Sequence, residues 1–261
     1  MFRAALIGKD IAYTRSPAVH KAIAEVIGVD IEFDVFDVPY GRLDDAVRSL
    51  LRDYDGFYVT KPYKTEIKRF IDCAEQSVNL VRCADKTAYN TDGAGFIRAL
   101  GRNFNDWQAS VKSALVLGTG GGAYAVVKAL NDVGKKVYVL GRSNVNAARL
   151  AASCDGAELY ANQQAELIVN CTPLGTAGED ALSAFCVLPS FKYAFDLVYA
   201  THTPFLRRNR DAGAQVADGK DMLIYQAIDG DKILLNGDFD IEKVYEFVAD
   251  RLAHGGDSEG E

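Results

Sequence analysis

The chain has 261 residues, 49% of them hydrophobic and 25% charged, and a formal net charge of -7. That length suits one large domain or two modest ones, and the composition is that of an ordinary folded protein without low-complexity segments. The acid excess is spread along the whole chain and repels a phosphate backbone, and no apolar run approaches the roughly 18 residues of a membrane span, so neither nucleic acid nor a membrane is expected as partner.

Cys73, Cys83, Cys154, Cys171 and Cys186 are dispersed, odd in number and free of any C-x-x-C pair. They fit a reducing compartment better than a disulfide or zinc framework. The opening MFRAALIGKDIAY holds too short an apolar run for a signal segment. A cytoplasmic protein is therefore expected. His202 and His254 carry no partner signal, and no metal site is visible.

In chain order, AALIG (4–8) has the continuous apolar character of a buried strand. Ser16-Pro17 then supplies an N-cap and a proline at the first helical position, with Val19, Ile23, Val26 and Ile27 on one helical face. IEFDVFDV (31–38) alternates apolar and polar residues, the period of a half-buried strand, while DAVRSLL (45–51) predicts a helix and GFYVT (56–60) another strand. Asp92 stands before a helix whose apolar face includes Phe96, Ile97 and Leu100. Strands alternating with helices imply βαβ units and a mainly parallel sheet.

After Trp107 the pattern restarts as SALVLGTGGGAYAVVKALNDVGKKVYVLGRS (113–143): strand, glycine turn, helix, strand. Ala123, Val126, Val127 and Leu130 form the helix stripe, and Gly134 is placed to cap its end. Further strands are predicted at 166–170, 194–198 and 213–219. Helices are predicted around MLIYQAI (222–228) and IEKVYEFVADRLA (241–253), before an acidic tail at 255–261. The restart implies two α/β domains.

Gly118, Gly120, Gly121 and Gly122 lie between a strand and an amphipathic helix, the context in which glycine permits a tight turn and the helix N-terminus attracts a diphosphate. A dinucleotide site is the favoured reading, with a merely tight structural turn as the alternative, since the spacing is not G-x-G-x-x-G. The next strand ends in VYVLGRS without a carboxylate for a ribose 2′-hydroxyl. Arg142 there is suited to a 2′-phosphate, which favours NADP over NAD unless it is simply a solvated arginine.

Such a site beside another α/β domain suggests hydride transfer at a carbon bearing oxygen, which also needs a group to move the hydroxyl proton. FYVTKPYK (57–64) offers Lys61 and Lys64, and NTDGAGF (90–96) offers Asp92. By pattern alone these are equally exposed charges and a helix cap supplied by Asp92 or Thr91.

Taken together, YTRSPAVH (13–20), YVTKPYK (58–64), SVNL (77–80), NTDGAGF (90–96), GTGGGA (118–123), GRS (141–143), NCTPLGT (170–176) and GKDMLIYQA (219–227) stand in the order of the motifs of the shikimate dehydrogenase family, which the chain resembles from about residue 8 to 230. The resemblance implies an N-terminal α/β substrate domain with a Rossmann-like, doubly wound dinucleotide-binding domain. It also implies NADP-linked interconversion of 3-dehydroshikimate and shikimate, a step in aromatic amino acid biosynthesis.

Carried over position by position, Lys64 and Asp92 are the catalytic pair, with Lys64 as the proton-transfer group and Lys61 a solvent-facing neighbour. Thr14, Ser16 and Tyr199 fall where the family binds the substrate carboxylate. Thr60, Lys64, Asn79, Asp92 and Gln226 fall where it holds the ring hydroxyls. Gly118, Gly120, Gly121, Gly122, Ala123, Arg142 and Ser143 match its cofactor segments, and Thr172, Leu197, Gly219 and Met222 fall near the nicotinamide. His20 matches a family histidine and reads as structural. A homodimer is compatible with the resemblance, although no interface signature stands in the sequence.

The chain also departs from the family pattern. Thr14 replaces a serine, Tyr13 a histidine, Tyr58 an asparagine and Leu80 a threonine, while Asn146 stands where many members carry a second basic residue. These changes leave quinate or an amino analogue as alternative substrates, NAD as the weaker cofactor, and a non-catalytic sensor of a dinucleotide and a small acid as the rival of another class. The domains are expected at 1–96 with 221–261 for substrate and 97–220 for the dinucleotide.

Overall fold

The computed structural model describes residues 1–185, 189–200 and 202–254; Cys186 and the acidic tail at 255–261 lie outside the described residues. The chain divides into two compact units, Met1–Thr91 with Ile224–Glu261, and Asp92–Leu223.

The first unit is built on strands β1 (Phe2–Gly8), β2 (Ile31–Asp37), β3 (Gly56–Val59), β4 (Leu80–Arg82) and β5 (Thr87–Tyr89). They form a five-stranded sheet in the order β2-β1-β3-β4-β5. The first three strands run parallel, whereas β4 and β5 are antiparallel additions. Helices α1 (Ser16–Ile27) and α2 (Leu43–Asp53) belong to this unit.

The central strands read as unbroken apolar runs because both their faces are covered. Ala5, Ile7, Phe57, Val59 and Val81 pack with Val47, Leu50, Ile67 and Ile71. On the other side Ala4, Leu6, Tyr58 and Leu80 pack with Ile11, Phe33 and Leu234.

Helix α1 begins differently from its sequence reading. Arg15, not Ser16, occupies the N-cap, with no side-chain hydrogen bond. Ser16 is already helical, and its amide donates to Thr14 Oγ1 at 3.3 Å. Val26, expected on the buried face, is 37% exposed, the covered stripe running instead through Val19, His20, Ala22, Ile23 and Ala24.

The second unit holds α3 (Asp92–Asn103), α4 (Trp107–Ser110), β6 (Ser113–Leu117), α5 (Gly121–Asp132), β7 (Lys136–Leu140), α6 (Asn144–Ala152), β8 (Ala157–Leu159), β9 (Leu167–Asn170), β10 (Tyr193–Asp196), α7 (Pro204–Asp211) and β11 (Gln215–Ala217). Its six strands are all parallel, in the order β11-β10-β9-β6-β7-β8. This is a doubly wound sheet whose strand order reverses between β6 and β9, the place where such sheets bind ligands. Gly134, with φ 76°, takes the left-handed position that ends α5.

Helix α8 (Lys220–Leu234) carries the dividing point within it, and α9 (Ile241–His254) lies against α1 in the first unit. The division falls a few residues away from the expected 96/97 and 220/221: the first point comes just before α3, which packs whole into the second unit, and the second falls within α8. Phe96, Ala99 and Leu100 share one core with Val126, Val127 and Met222. A Cβ on Gly93 would lie 3.2 Å from the Ala125 carbonyl oxygen, so α3 is seated closely on α5. Among the described residues no helix is long and apolar enough to cross a membrane, and no group of His, Cys, Asp and Glu is arranged to hold a metal ion.

Candidate active site

In the first unit, hydrogen bonds draw together the segments that follow β1 and β3 and the one that leads into β4. The Lys9 amide donates to the Lys61 carbonyl at 3.0 Å, the Thr60 amide to Ile7 at 2.9 Å, and the Val78 amide to the Lys64 carbonyl at 2.8 Å. A Cβ on Gly8 would lie 2.5 Å from the Thr60 methyl, so glycine is what lets Thr60 sit there. Lys64 itself is half-buried. Thr14 and Ser16 share a hydroxyl contact of 3.2 Å at the start of α1, with Ser16 buried and Thr14 half-buried.

Asn79 is buried and held from two sides. Its Nδ2 donates to Thr91 Oγ1 at 2.8 Å and to Gln226 Oε1 at 3.1 Å, while its Oδ1 accepts the Thr91 amide at 2.8 Å. Thr91 Oγ1 in turn donates to the Gln226 carbonyl at 2.8 Å. Thr91 is thus the joint between strand exit and α8. Sequence reasoning treated it only as a helix cap, although its place inside NTDG was the available signal.

Lys61 is exposed, its ammonium 5.0 Å from the centre of the Tyr13 ring. Asp92 is buried at the first turn of α3, where a carboxylate is favoured by the helix dipole. Tyr58 and Leu80 are both wholly within the core and pack with Leu6 and Leu234. The Tyr58 ring turns to the face opposite Phe57 and Val59, as alternation along β3 dictates, and is enclosed there.

In the second unit the glycine turn and the end of β9 meet at the switch point. Gly118 has φ 115°, which a side chain rarely adopts, and a Cβ there would lie 3.2 Å from the Cys171 carbonyl. Gly120 is the N-cap of α5 without any capping side chain, and a Cβ on it would meet nothing within 4 Å. The first amides of α5 are therefore available to an anion beside open space, which fits a diphosphate. Gly121 and Gly122 begin the helix, whereas Ala123 is fully buried in the core and offers packing rather than side-chain contact.

Arg142 is exposed, with no carboxylate partner among the described residues, and follows β7 directly. Ser143 caps α6 by accepting the Asn146 amide at 3.3 Å. Thr172 donates to Asn170 Oδ1 at 2.7 Å. Gly219 is pressed on the Leu197 backbone: a Cβ there would lie 2.7 Å from the Leu197 carbonyl carbon. Met222 is buried in the core with Leu197 packed against it. Tyr199 is half-buried and lines a cavity of about 280 Å³ with Gly175, Thr203 and Lys220. Burial pushes the Cys171 thiol well above its ordinary range, so it is no nucleophile.

Asp196 was not singled out by sequence reasoning, which saw only a strand. It is fully buried and accepts from Asn170 Nδ2 at 2.8 Å, Thr203 Oγ1 at 2.7 Å and the Val198 amide at 3.1 Å. These bonds hold the loop that carries Leu197 and Tyr199. Burial pushes its carboxyl from 3.8 up to about 6, with the three donors opposing and Asp218 reinforcing.

A carboxyl raised in the folded state stabilises the fold while protonated. The contribution is full below the unfolded value and is lost as pH rises through about 6. Asp196→Asn keeps the shape without the charge and should flatten the fall in melting temperature between about pH 4 and 7, the window over which the shift is worth roughly 3 kcal/mol at most. Thermal melts across that range test this; an unchanged slope would place the titration elsewhere.

Residues 6–85 match the family model described as the shikimate dehydrogenase substrate binding domain. A shikimate dehydrogenase (NADP(+)) from Ignicoccus hospitalis is 33% identical over 263 residues, covering 95% of this chain and 99% of the relative. One from Paramagnetospirillum magneticum is 33% identical over 248 residues, covering 87% and 90%. Among solved structures, shikimate dehydrogenase from Aquifex aeolicus matches with TM-score 0.84 at 27% identity, covering 95% of this chain and 97% of that one. Shikimate 5-dehydrogenase from Thermus thermophilus, in complex with NADP(H) and shikimate, matches with TM-score 0.81 at 28% identity, covering 96% and 99%. With one-third identity sustained over nearly the full length of both sequences, and the same doubly wound sheet behind its glycine turn, the chain belongs to the shikimate dehydrogenase family.

Proposed function

We propose that the chain is an NADP-linked shikimate dehydrogenase, an oxidoreductase that reduces 3-dehydroshikimate to shikimate and runs the reverse reaction in aromatic amino acid biosynthesis. The observation that carries this reading is the joint of Asn79, Thr91 and Gln226 beside the strand exit bearing Thr60 and Lys64. A small polyhydroxylated acid needs several fixed polar partners, since each one left unpaired on burial is costly. The relatives named above are shikimate dehydrogenases, so quinate, an amino analogue or a sensor role is not needed to explain the chain.

In this reading Thr14, Ser16 and Tyr199 take the substrate carboxylate, and Thr60, Asn79, Asp92 and Gln226 take the ring hydroxyls. Bound NADPH supplies the hydride to the carbonyl carbon, and NADP accepts it in reverse. Lys64 Nζ gives its proton to the oxygen that becomes the hydroxyl and, once neutral, takes it back in the oxidation. Asp92 accepts a hydrogen bond from the reacting hydroxyl and orients it. Gly118, Gly120, Gly121 and Gly122 cradle the diphosphate and Arg142 with Ser143 faces the 2′-phosphate. Thr172, Leu197, Gly219 and Met222 flank the nicotinamide, where Ala123 contributes only by packing. Cys73, Cys83, Cys154 and Cys171 are free thiols, which suits the reducing cytoplasm.

Following the absorbance of reduced cofactor with shikimate or quinate, and NADP or NAD, tests the reading. Turnover is expected to be fastest with shikimate and NADP, and silence with shikimate under both cofactors would overturn it. Arg142→Ala should raise the KM for NADP about 10- to 100-fold and that for NAD little, the loss of a charge-assisted contact. An unaltered preference between the two cofactors would show that Arg142 does not read the phosphate.

A further inference from the structure

A second polar cluster lies in the first unit, on the opposite face of β3 from Phe57 and Val59, and nothing in the proposed reaction uses it. Asp231, on α8, is 2% exposed, and His20 and Tyr58 are equally enclosed at 1% and 3%. His20 Nδ1 lies 2.8 Å from Asp231 Oδ2 and 3.0 Å from Oδ1, while Tyr58 Oη donates to Oδ1 at 2.6 Å. The His20 ring stacks on Phe33 with centroids 4.4 Å apart and lies 4.3 Å from the Tyr58 ring.

The fit depends on the residue beside the carboxylate. A Cβ on Gly230 would come to 2.5 Å from Tyr58 Oη, so glycine clears the path by which the phenol reaches Asp231. Burial, then the neighbouring Asp231 charge, pushes the Tyr58 phenol well above its ordinary range, so it stays a donor throughout the working pH range.

Each arm of this cluster sits a short way along the chain from a residue of the substrate set. His20 is one helical turn after Ser16 on α1, Tyr58 is two residues before Thr60 on β3, and Asp231 is between one and two turns after Gln226 on α8. A buried carboxylate with two hydrogen-bonding partners has few arrangements that satisfy it, so it fixes the elements that supply those partners.

We infer that His20, Tyr58 and Asp231 are positioning residues that set the mutual spacing of Ser16, Thr60 and Gln226, and so tune affinity for the small hydroxylated acid rather than for the dinucleotide. The role in affinity rests on the function proposed above, while the spacing of the three elements does not. Apolar packing in the same cluster, such as Leu234 against β3, stabilises these elements without specifying their register to the same degree.

The test compares Tyr58→Phe, which keeps the ring and removes the hydroxyl, with Leu234→Ala as a packing control. Both are expected to lower the melting temperature. Tyr58→Phe should raise the KM for shikimate about 5- to 20-fold while the KM for NADP and kcat stay within about twofold; Leu234→Ala should leave the ratio of the two KM values near that of the unaltered protein. Hydrogen exchange of residues 14–18, 60–64 and 224–228 should quicken in Tyr58→Phe more than in Leu234→Ala.

Equal KM ratios in the two variants, or exchange that quickens equally in both, would reduce the cluster to general packing and overturn the inference. An unaltered protein that is silent with shikimate, but whose three segments still loosen selectively in Tyr58→Phe, would overturn the proposed activity and leave the positioning role standing.

Discussion

Lys64→Ala is expected to lower kcat by about 10²- to 10⁴-fold with little change in the KM for NADP, the usual loss when a positioned proton-transfer group is removed. Lys64 stands on a segment fixed independently of its side chain. Its carbonyl accepts the Val78 amide, and Tyr63 beside it is fully buried with its hydroxyl on the Val38 carbonyl at 2.7 Å. The truncation should therefore leave the backbone of the segment in place while removing the ammonium and its methylene stem. Lys61→Ala is the matched control, since that lysine is exposed and rests on the Tyr13 ring. Steady-state rates with shikimate and NADP decide it, and near-normal kcat in Lys64→Ala would end the assignment.

Gly219→Ala should have the largest effect of any single methyl in the second unit. The added carbon would lie 2.7 Å from the Leu197 carbonyl carbon and 3.2 Å from its Cα, and both are backbone atoms that cannot swing aside. Overpacking of this kind typically costs about 1–3 kcal/mol. The strain falls on the segment holding Leu197 and on the start of α8, whose Leu223 amide donates to the Gly219 carbonyl at 2.9 Å. A lower melting temperature together with at least about a tenfold loss of turnover is expected, since small misplacements near reacting atoms are costly. If melting and rate are both unaltered, the approach of Gly219 to Leu197 has no part in placing the nicotinamide.

Much of the architecture was legible because the strongest local signals coincide with real elements. The apolar run at 4–8 is part of β1, inside the first sheet, and the stretch from Ser113 to Leu140 is β6, turn, α5 and β7 as its periodicity implies. Of the four three-residue strands among the described residues only β11 was anticipated, within 213–219; β4, β5 and β8 are too short to show a period and exist because a neighbour's edge is available to pair with.

Among candidate site residues, the glycines and Arg142 could be read from chemistry, whereas Lys64, Asp92 and Asn79 needed the resemblance. Asp231 and Asp196 were opaque to both. The second of the two aspartates in IDGDKI looks like part of a solvated helix face, and only the arrival of His20 from 211 positions away makes it a buried partner. Likewise the reach of the Tyr58 hydroxyl to Asp231 depends on Gly230, a residue far along the chain whose missing side chain leaves the room.

The first unit is assembled from two stretches of chain with the whole second unit between them. As the protein is synthesised, residues 92–223 can close into their own sheet as soon as they emerge, because every strand partner is already present. The earlier sheet must wait for part of its cover until α8 and α9 are made, because Leu234, which packs with Leu6 and Phe33, and Asp231, which receives His20 and Tyr58, both come from α8. The order of completion is thus the reverse of the order of translation. A premature stop before Ile224 should yield a molecule whose cofactor half is sound and whose opening ninety or so residues have no stable home.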